Sequence, residues 1–525
     1  MARSPLETAA EARIARLDAL LAQAALSAPQ RVAIIFGETS WTYGEVHERA
    51  RRLAGALSSL GVQHGDRVAQ WTSNRAEFVE VLFGVPMLGA IAAPLDHWWT
   101  WTDAYVALEQ IRPKILIVDA AKAAAVAEFH DALSAVGIEQ VLCFDPTDGK
   151  SEIGSYARLL SGATPLHHLP EVGADDPALI LFTSGSTGRS KGAVHSHGGL
   201  VATAATMSRE LELGHAERTL HFLPMFSSCL EQLIPLVHAR GTHVILAQFD
   251  AAAVWEAVRS FEITHFDAVP TTLRRMLEVV PAQIPKSLRL ISYASERMPD
   301  ALIVALIERL PGVAFVQFYG MIEHLCITVL DASNQLRKIG TVGRPMLGAE
   351  LYLLNEAGEV AGAEEAGEIV ARSPTLFSGY WQDRSATDQV MRGDWMRTGD
   401  FGRIDSEGFL SLEGRVKEMI KSGGLTVIPS EIENILLGHP GVRDAAVVGV
   451  PDERWGEAVH AFVTLSPNAS LQEADLKAFC KERLAGYKCP KSIQIVPELP
   501  KTGIGKIARR LVRDQVSVRW RNEPL

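Results

Sequence analysis

Apolar and polar positions along the first third of the chain follow two alternating rhythms. Thr8 to Leu26, rich in Ala and Leu, reads as a helix, and Arg31-Val32-Ala33-Ile34-Ile35-Phe36 reads as a strand. Glu38-Thr39 turns the chain into Trp41-Thr42-Tyr43. Val46, Ala50, Leu53, Ala54, Leu57 and Leu60 recur every three or four positions, which predicts an amphipathic helix closed by Gly61. Asp66-Arg67-Val68-Ala69 begins a strand, Glu77 to Leu88 reads as a helix, and Ala90-Ile91-Ala92-Ala93-Pro94-Leu95 as the next strand. This alternation runs to about residue 330 and predicts an α/β fold of layered, largely parallel sheets.

Strand-like, Gly-rich segments from Gly340 to Tyr380 predict a β-rich subdomain, and near Arg415 the pattern changes again. Ser430 and Glu433 stand at capping-box spacing ahead of Ile432, Ile435 and Leu436, which share one helix face. Strands are expected at Ala445–Val450, Val459–Leu465 and Ser492–Val496, with a helix at Ala474–Leu484. The expected organisation is a large N-terminal domain (1–414), a short hinge (415–418) and a small mobile α+β C-terminal domain (419–525).

Composition narrows the setting. With 47% hydrophobic and 22% charged residues the chain is globular with a sizeable core. No uncharged apolar run reaches the length of a membrane span, and Met1-Ala2-Arg3-Ser4-Pro5-Leu6-Glu7 lacks the apolar core of a signal peptide. The scattered Cys143, Cys229, Cys326, Cys480 and Cys489 form no CxxC pair, so a reducing, cytoplasmic setting is expected. Net charge is −11, but residues 416–525 carry 16 Lys/Arg against 13 Asp/Glu while the first 415 carry 35 against 49. The basic end suits a polyanionic small ligand or simply a solvated face, and the acidic whole argues against nucleic acid.

The chemistry concentrates after the apolar run Pro177–Phe182. From Thr183 to Gly192 the chain reads Thr-Ser-Gly-Ser-Thr-Gly-Arg-Ser-Lys-Gly, with three glycines, five hydroxyls and two cations. Glycines let backbone N–H groups approach a ligand, hydroxyls donate hydrogen bonds, and Arg or Lys neutralises charge, so the loop suits a polyphosphate. A Walker P-loop requires G-x-x-x-x-G-K-[ST], and here Gly192 follows Lys191. A flexible Ser/Gly loop is the remaining alternative on this stretch alone.

The stretch resembles the phosphate-binding loop T-S-G-[ST]-T-G-x-P-K-G of the adenylate-forming superfamily, in its acyl-CoA synthetase branch, with Ser190 where Pro is common. The resemblance implies that Thr183, Ser184, Gly185, Ser186, Thr187, Gly188 and Lys191 hold the phosphates of ATP. Other segments match in family order. Tyr319-Gly320-Met321-Ile322-Glu323 resembles Y-G-x-T-E, which implies that Tyr319 and Gly320 line the adenine and Glu323 holds Mg²⁺, a role suited to a hard carboxylate. Ile322 stands where the family has Thr. Ser292-Tyr293-Ala294-Ser295 resembles the strand beside the adenine. Gly393-Asp394-Trp395-Met396-Arg397-Thr398-Gly399-Asp400 and Gly414-Arg415 resemble the segments whose Asp and Arg bind the ribose, and Lys417 falls on the family's hinge position.

Lys421-Ser422-Gly423-Gly424, followed by Pro429-Ser430-Glu431-Ile432-Glu433, resembles the segment near acyl group and pantetheine. Pro500-Lys501-Thr502-Gly503-Ile504-Gly505-Lys506 resembles the terminal motif, which makes Lys506 the adenylation lysine bridging carboxylate and α-phosphate. Several candidates carry bland readings too: Trp455 as a packed side chain, His195 as a satisfied structural histidine, and the cluster Trp98-Trp99-Thr100-Trp101 as packing or as the cover of an apolar entrance. Ser227 stands where many members have a His at the acyl gate.

The resemblance implies an AMP-forming carboxylic acid–CoA ligase that uses ATP, Mg²⁺ and coenzyme A on a small, apolar acid (fatty, aromatic or alicyclic), as a monomer or homodimer without nucleic acid or membrane span. Two alternatives stay open: transfer of the acyl group to a carrier protein or to oxygen, and an ATP- or acyl-AMP-binding relative without turnover, which Ile322 and Ser227 favour.

Overall fold

The computed structural model describes residues 16–145, 153–183, 190–226, 230–355, 357–362, 364–415, 418–423, 425–452, 454–467, 469–500 and 511–513. The chain divides into two compact units, one made of Met1–Glu350 with Arg372–Asp394, the other of Leu351–Ala371 with Trp395–Leu525.

The first unit is built on two sheets. One runs, strand beside strand, Arg344–Pro345, His324–Leu330, Ala314–Met321, Leu290–Tyr293, His265–Ala268, Arg218–His221, Thr242–Ile245, Val32–Phe36 and Thr39–Thr42. The other runs Gly379–Tyr380, Gly192–Ser196, Pro177–Phe182, Ile91–Pro94, Arg67–Trp71, Ile115–Val118, Gln140–Cys143 and Gly154–Ser155. Their interiors pair in parallel, as the strand–helix alternation predicts. Each sheet also carries an antiparallel hairpin toward one edge: Pro177–Phe182 with Gly192–Ser196, and Ala314–Met321 with His324–Leu330. These hairpins present the candidate chemistry.

One apolar cluster joins the helices to both sheets. It takes Val46, Leu53 and Leu57 from the helix Tyr43–Ser59, Leu200 and Ala204 from His197–Glu210, Ile34 and Val244 from one sheet, and Val68 and Leu179 from the other. Thr42 caps the helix Tyr43–Ser59 reciprocally with Glu45, which fixes its start one turn before the apolar stripe begins.

The structure revises several expected elements. The helix from Glu77 stops at Gly84, because Pro86 carries no N–H to continue the ladder; a 3₁₀ turn follows at Pro86–Leu88. The strands expected together between 340 and 380 separate: Arg344–Pro345 extends one sheet of the first unit, Gly379–Tyr380 the other, and Glu350–Leu354 and Ala366–Arg372 join a sheet with Trp395–Ile404 and Leu410–Arg415. The predicted capping box does not form. Pro429 takes the first helical position, where a missing N–H costs nothing, so the helix Pro429–Leu437 starts a residue before Ser430. Ser430 donates to the Glu413 carbonyl instead, and Glu433 accepts from the Val447 N–H at 2.8 Å.

In the second unit the long hairpin Val442–Asp452 with Gly456–Leu465 packs on the helices Pro429–Leu437 and Glu473–Lys481 through Ile432, Leu436, Val447, Val459 and Leu476. The tryptophan cluster resolves mostly as packing. Trp101 stacks on Phe129 with ring centroids 4.5 Å apart, and Trp99 meets Phe182 edge-on, while Trp98 remains 47% exposed beside Phe226. No helix among the described residues is long and apolar enough to cross a membrane.

Candidate functional site

Two hairpin tips and one crossing segment make the site of the first unit. Register between Phe182 and Gly192, closed by the Thr183 N–H donating to the Lys191 carbonyl at 3.0 Å, pinches the base of the loop that resembles a phosphate cradle. Ser184, Gly185, Ser186, Thr187 and Gly188 lie outside the described residues, as do Ser227, Lys417, Gly424 and Lys506. In the second hairpin Met321 pairs with His324, which leaves Ile322 and Glu323 as the two turn residues. Gly320 is obligatory there. A Cβ at this position would stand 2.4 Å from the Leu325 carbonyl oxygen on the returning strand. Tyr319 on the same strand is buried.

Residues 377–381 tie the two tips together. The Phe377 N–H donates to the Glu323 carbonyl (2.8 Å), the Ser378 N–H to the Val194 carbonyl (2.7 Å) and the Trp381 N–H to the Gly192 carbonyl (2.7 Å). The Tyr380 hydroxyl donates to Glu323 Oε1 at 2.6 Å, and Lys191 Nζ lies 4.9 Å from the centroid of the Tyr380 ring. Burial first, and then the Glu323 carboxylate, push the Tyr380 phenol up, so it stays a donor. His195 adds a further strut. Its Nε2–H donates to the Ile322 carbonyl at 2.8 Å, and burial lowers its pKa to about 4, so the imidazole is neutral and structural. The Ile322 side chain packs against the main apolar cluster. Asn74 holds the stretch Leu223–Met225: its Nδ2 donates to the Leu223 carbonyl (2.9 Å) and its Oδ1 accepts from the Met225 N–H (2.9 Å).

Ser295 is exposed and holds a left-handed backbone (φ 72°), a conformation non-glycine residues adopt rarely and at a cost. Sequence reasoning missed Tyr380 and Asn74. Gly379-Tyr380 reads only as part of a strand-like stretch, and nothing local marks a phenol as the partner of a carboxylate 57 positions away.

A second constellation lies in the other unit. Asp400 and Arg415 face each other across paired strands, with Arg415 Nε 3.1 Å from Asp400 Oδ1. Thr398 anchors the turn into Asp400: its hydroxyl donates to the Ile369 carbonyl and accepts from the Asp400 N–H at 3.1 Å. Gly423, with φ 60°, donates its N–H to the Trp455 carbonyl at 2.7 Å, and the indole of Trp455 would meet a Cβ there at 3.0 Å. Trp455 is thus a packed neighbour of the Gly423 backbone, flanked by Arg454 and Lys491. The exposed Lys421 presents its backbone N–H to Glu457 Oε2 at 2.8 Å.

Glu323 also fits a divalent cation. Among the described residues no group of three or more His, Cys, Asp or Glu forms a metal cage. A cation at this one carboxylate would take its remaining oxygens from phosphates and water, as Mg²⁺ prefers.

A profile of the AMP-binding enzyme family matches residues 21–381, and a profile of the AMP-binding enzyme C-terminal domain matches 431–506. The chain belongs to the AMP-binding enzyme family. It is 35% identical over 497 residues to a feruloyl-CoA synthase of Amycolatopsis sp, covering 92% of this chain and 96% of the relative. An indoleacetate–CoA ligase of Aromatoleum aromaticum is 35% identical over 495 residues, covering 93% and 96%. The ATP-bound structure of MatB from Rhodopseudomonas palustris superposes with a TM-score of 0.88 at 28% identity, covering 96% of this chain and all of that one. Within the family the chain sits in the acyl-CoA synthetase branch and is an AMP-forming acid–CoA ligase.

Proposed function

We propose that this ligase activates an apolar carboxylic acid (fatty, aromatic or alicyclic) and that free coenzyme A is the acceptor. In the first half-reaction a carboxylate oxygen bonds to the α-phosphorus of ATP as the bond to pyrophosphate breaks, giving acyl-AMP. In the second, the CoA thiolate attacks the acyl carbon and AMP departs. Both reactants are anionic, which accounts for the concentration of hydroxyl, amide and cationic groups at the loop. The observation that carries the reading is the Lys191–Tyr380–Glu323 assembly, which sets a cation and a carboxylate beside the base of a Ser/Gly loop. The names of the relatives, feruloyl-CoA synthase and indoleacetate–CoA ligase, support the apolar class.

In this reading residues 183–188 and Lys191 hold the phosphates, Tyr319, Gly320 and Ser295 flank the adenine, and Asp400 with Arg415 binds the ribose. Glu323 binds Mg²⁺, whose charge offsets that of the phosphates when bound. Lys506 bridges carboxylate and α-phosphate. The segment 415–418, with Lys417, is the hinge between a domain of residues 1–414 and one of residues 419–525, and rotation there exchanges Lys506 for the Lys421–Gly424 face as CoA enters. The enzyme works in the cytoplasm as a monomer or homodimer.

A panel of carboxylic acids scored by CoA-dependent AMP formation tests the reading. Apolar acids should dominate, and Lys506→Ala should lose adenylation while still making thioester from supplied acyl-AMP. AMP formation that requires a phosphopantetheinyl carrier protein and ignores CoA would transfer the activity to the carrier-loading class.

A further inference from the structure

We infer that Tyr380 is a positioning residue for Glu323, setting how the carboxylate meets the cation that accompanies ATP; this rests on the reading that Glu323 faces the triphosphate. The geometry is specific. Tyr380 lies on a two-residue strand paired with Gly192–Ser196, with Gly379 opposite Val194 and Tyr380 opposite Ala193, so its backbone is registered to the strand that leaves the phosphate loop. Its own N–H donates to the Thr387 hydroxyl at 2.9 Å, and its ring meets Phe377 edge-on with centroids 5.0 Å apart. Both ends of the side chain are therefore constrained before the hydroxyl reaches Glu323 Oε1 at 2.6 Å.

Glu323 itself stands on a two-residue turn, where a three-torsion side chain has several rotamers open to it. The phenol selects among them. It engages one carboxylate oxygen and leaves the other as the ligand. The Lys191 ammonium over the ring face adds a second link, since any shift of Tyr380 moves the lysine at the base of the loop as well. Tyr380 makes no covalent bond and transfers no proton in this role. It holds an acceptor in place.

Tyr380→Phe isolates the hydroxyl, because the ring, its contact with Phe377 and its face toward Lys191 are retained. Two measurements are made on the full chain: the Mg²⁺ concentration giving half-maximal ATP–pyrophosphate exchange, and the Mg²⁺ dependence of ATP binding followed by calorimetry without acid. The inference predicts that both Mg²⁺ midpoints rise by about tenfold, the scale of one hydrogen bond to a charged group. The KM for the acid and the melting temperature should stay at wild-type values. Unmoved Mg²⁺ midpoints in Tyr380→Phe, or a lowered melting temperature with unmoved midpoints, overturn the role. Glu323→Gln run in parallel separates the two readings. If it leaves the Mg²⁺ midpoint of ATP binding unchanged, the assignment of Glu323 fails, and the positioning role fails with it. If it shifts the midpoint while Tyr380→Phe does not, only the role of Tyr380 fails.

Discussion

Asp400 and Arg415 show how exposure decides what an ion pair is for. The Arg415 side chain is 56% exposed and that of Asp400 only 10%, so solvent screens the pair and it contributes under about 1 kcal/mol to folding. In the proposed reading the Asp400 carboxylate accepts from the ribose hydroxyls of ATP. Asp400→Asn should therefore raise the KM for ATP by about tenfold through weakened ribose hydroxyl bonds while barely moving the melting temperature. An unchanged KM would remove Asp400 from the ribose site. Ile322 makes the complementary case. Its carbonyl serves His195 whatever the side chain, and its side chain packs against the apolar cluster. Ile322→Thr loses part of that burial, about 1 kcal/mol, and gains a hydroxyl next to Glu323. The adenylation rate should hold or rise. A large loss would show that the isoleucine shapes the pocket itself.

The hairpin Ala314–Met321 with His324–Leu330 is the element on which the candidate carboxylate depends, and Gly320 is its weakest point. With the Leu325 carbonyl oxygen only 2.4 Å from where an alanine methyl would sit, Gly320→Ala must push the two strands apart. The expected cost is about 2 kcal/mol in stability, with a larger fall in pyrophosphate exchange because Glu323 moves with the turn. Chemical denaturation and exchange assays on the same preparation would show both; intact activity would mean that the turn tolerates the displacement. Other elements were legible in advance because they write themselves locally. The Val46–Leu60 stripe, the apolar run Pro177–Phe182 and the alternation to residue 330 each announce a helix, a buried strand or a layered sheet. Glu323 and Asp400 were singled out for a different reason, their resemblance to family segments. What the sequence hid is long-range. Tyr380 with Glu323, Asn74 with Leu223 and Met225, and the dispersal of the 340–380 strands into different sheets depend on chain crossings that no window of neighbouring residues encodes. The Ser430 capping box failed because Pro429 had a stronger local claim on the first turn.

At the scale of the whole molecule, buried histidines dominate the response to acid. Burial lowers His97, His195 and His197 to about 4, and His221, His265 and His324 to about 3, from an ordinary value of 6.5. Each stays neutral in the folded chain down to its lowered pKa, whereas the unfolded chain protonates it once the pH falls below about 6.5. Between about pH 4 and 6.5 the unfolded state thus binds more protons, so stability climbs as pH rises through that window and levels off above it. Asp267 works in the opposite direction. Burial raises it to about 7 from 3.8, despite a hydrogen bond from the Ser292 hydroxyl, so the folded chain keeps a proton that the unfolded chain has released. Its contribution declines as pH rises from about 4 to 7. Burial raises the carboxyls of Asp18, Glu80, Asp96 and Glu231 as well, but among the described residues ten lowered histidines outnumber these five carboxyls, and the melting temperature should increase from pH 4.5 to 6.5. Asp267→Asn removes the opposing proton and keeps an oxygen for Ser292, so the climb should steepen by about one proton, roughly 1.4 kcal/mol per pH unit. Denaturant titrations at four pH values across the window measure that slope directly, and a slope unchanged by the substitution would show that Asp267 is already ionised in the folded protein.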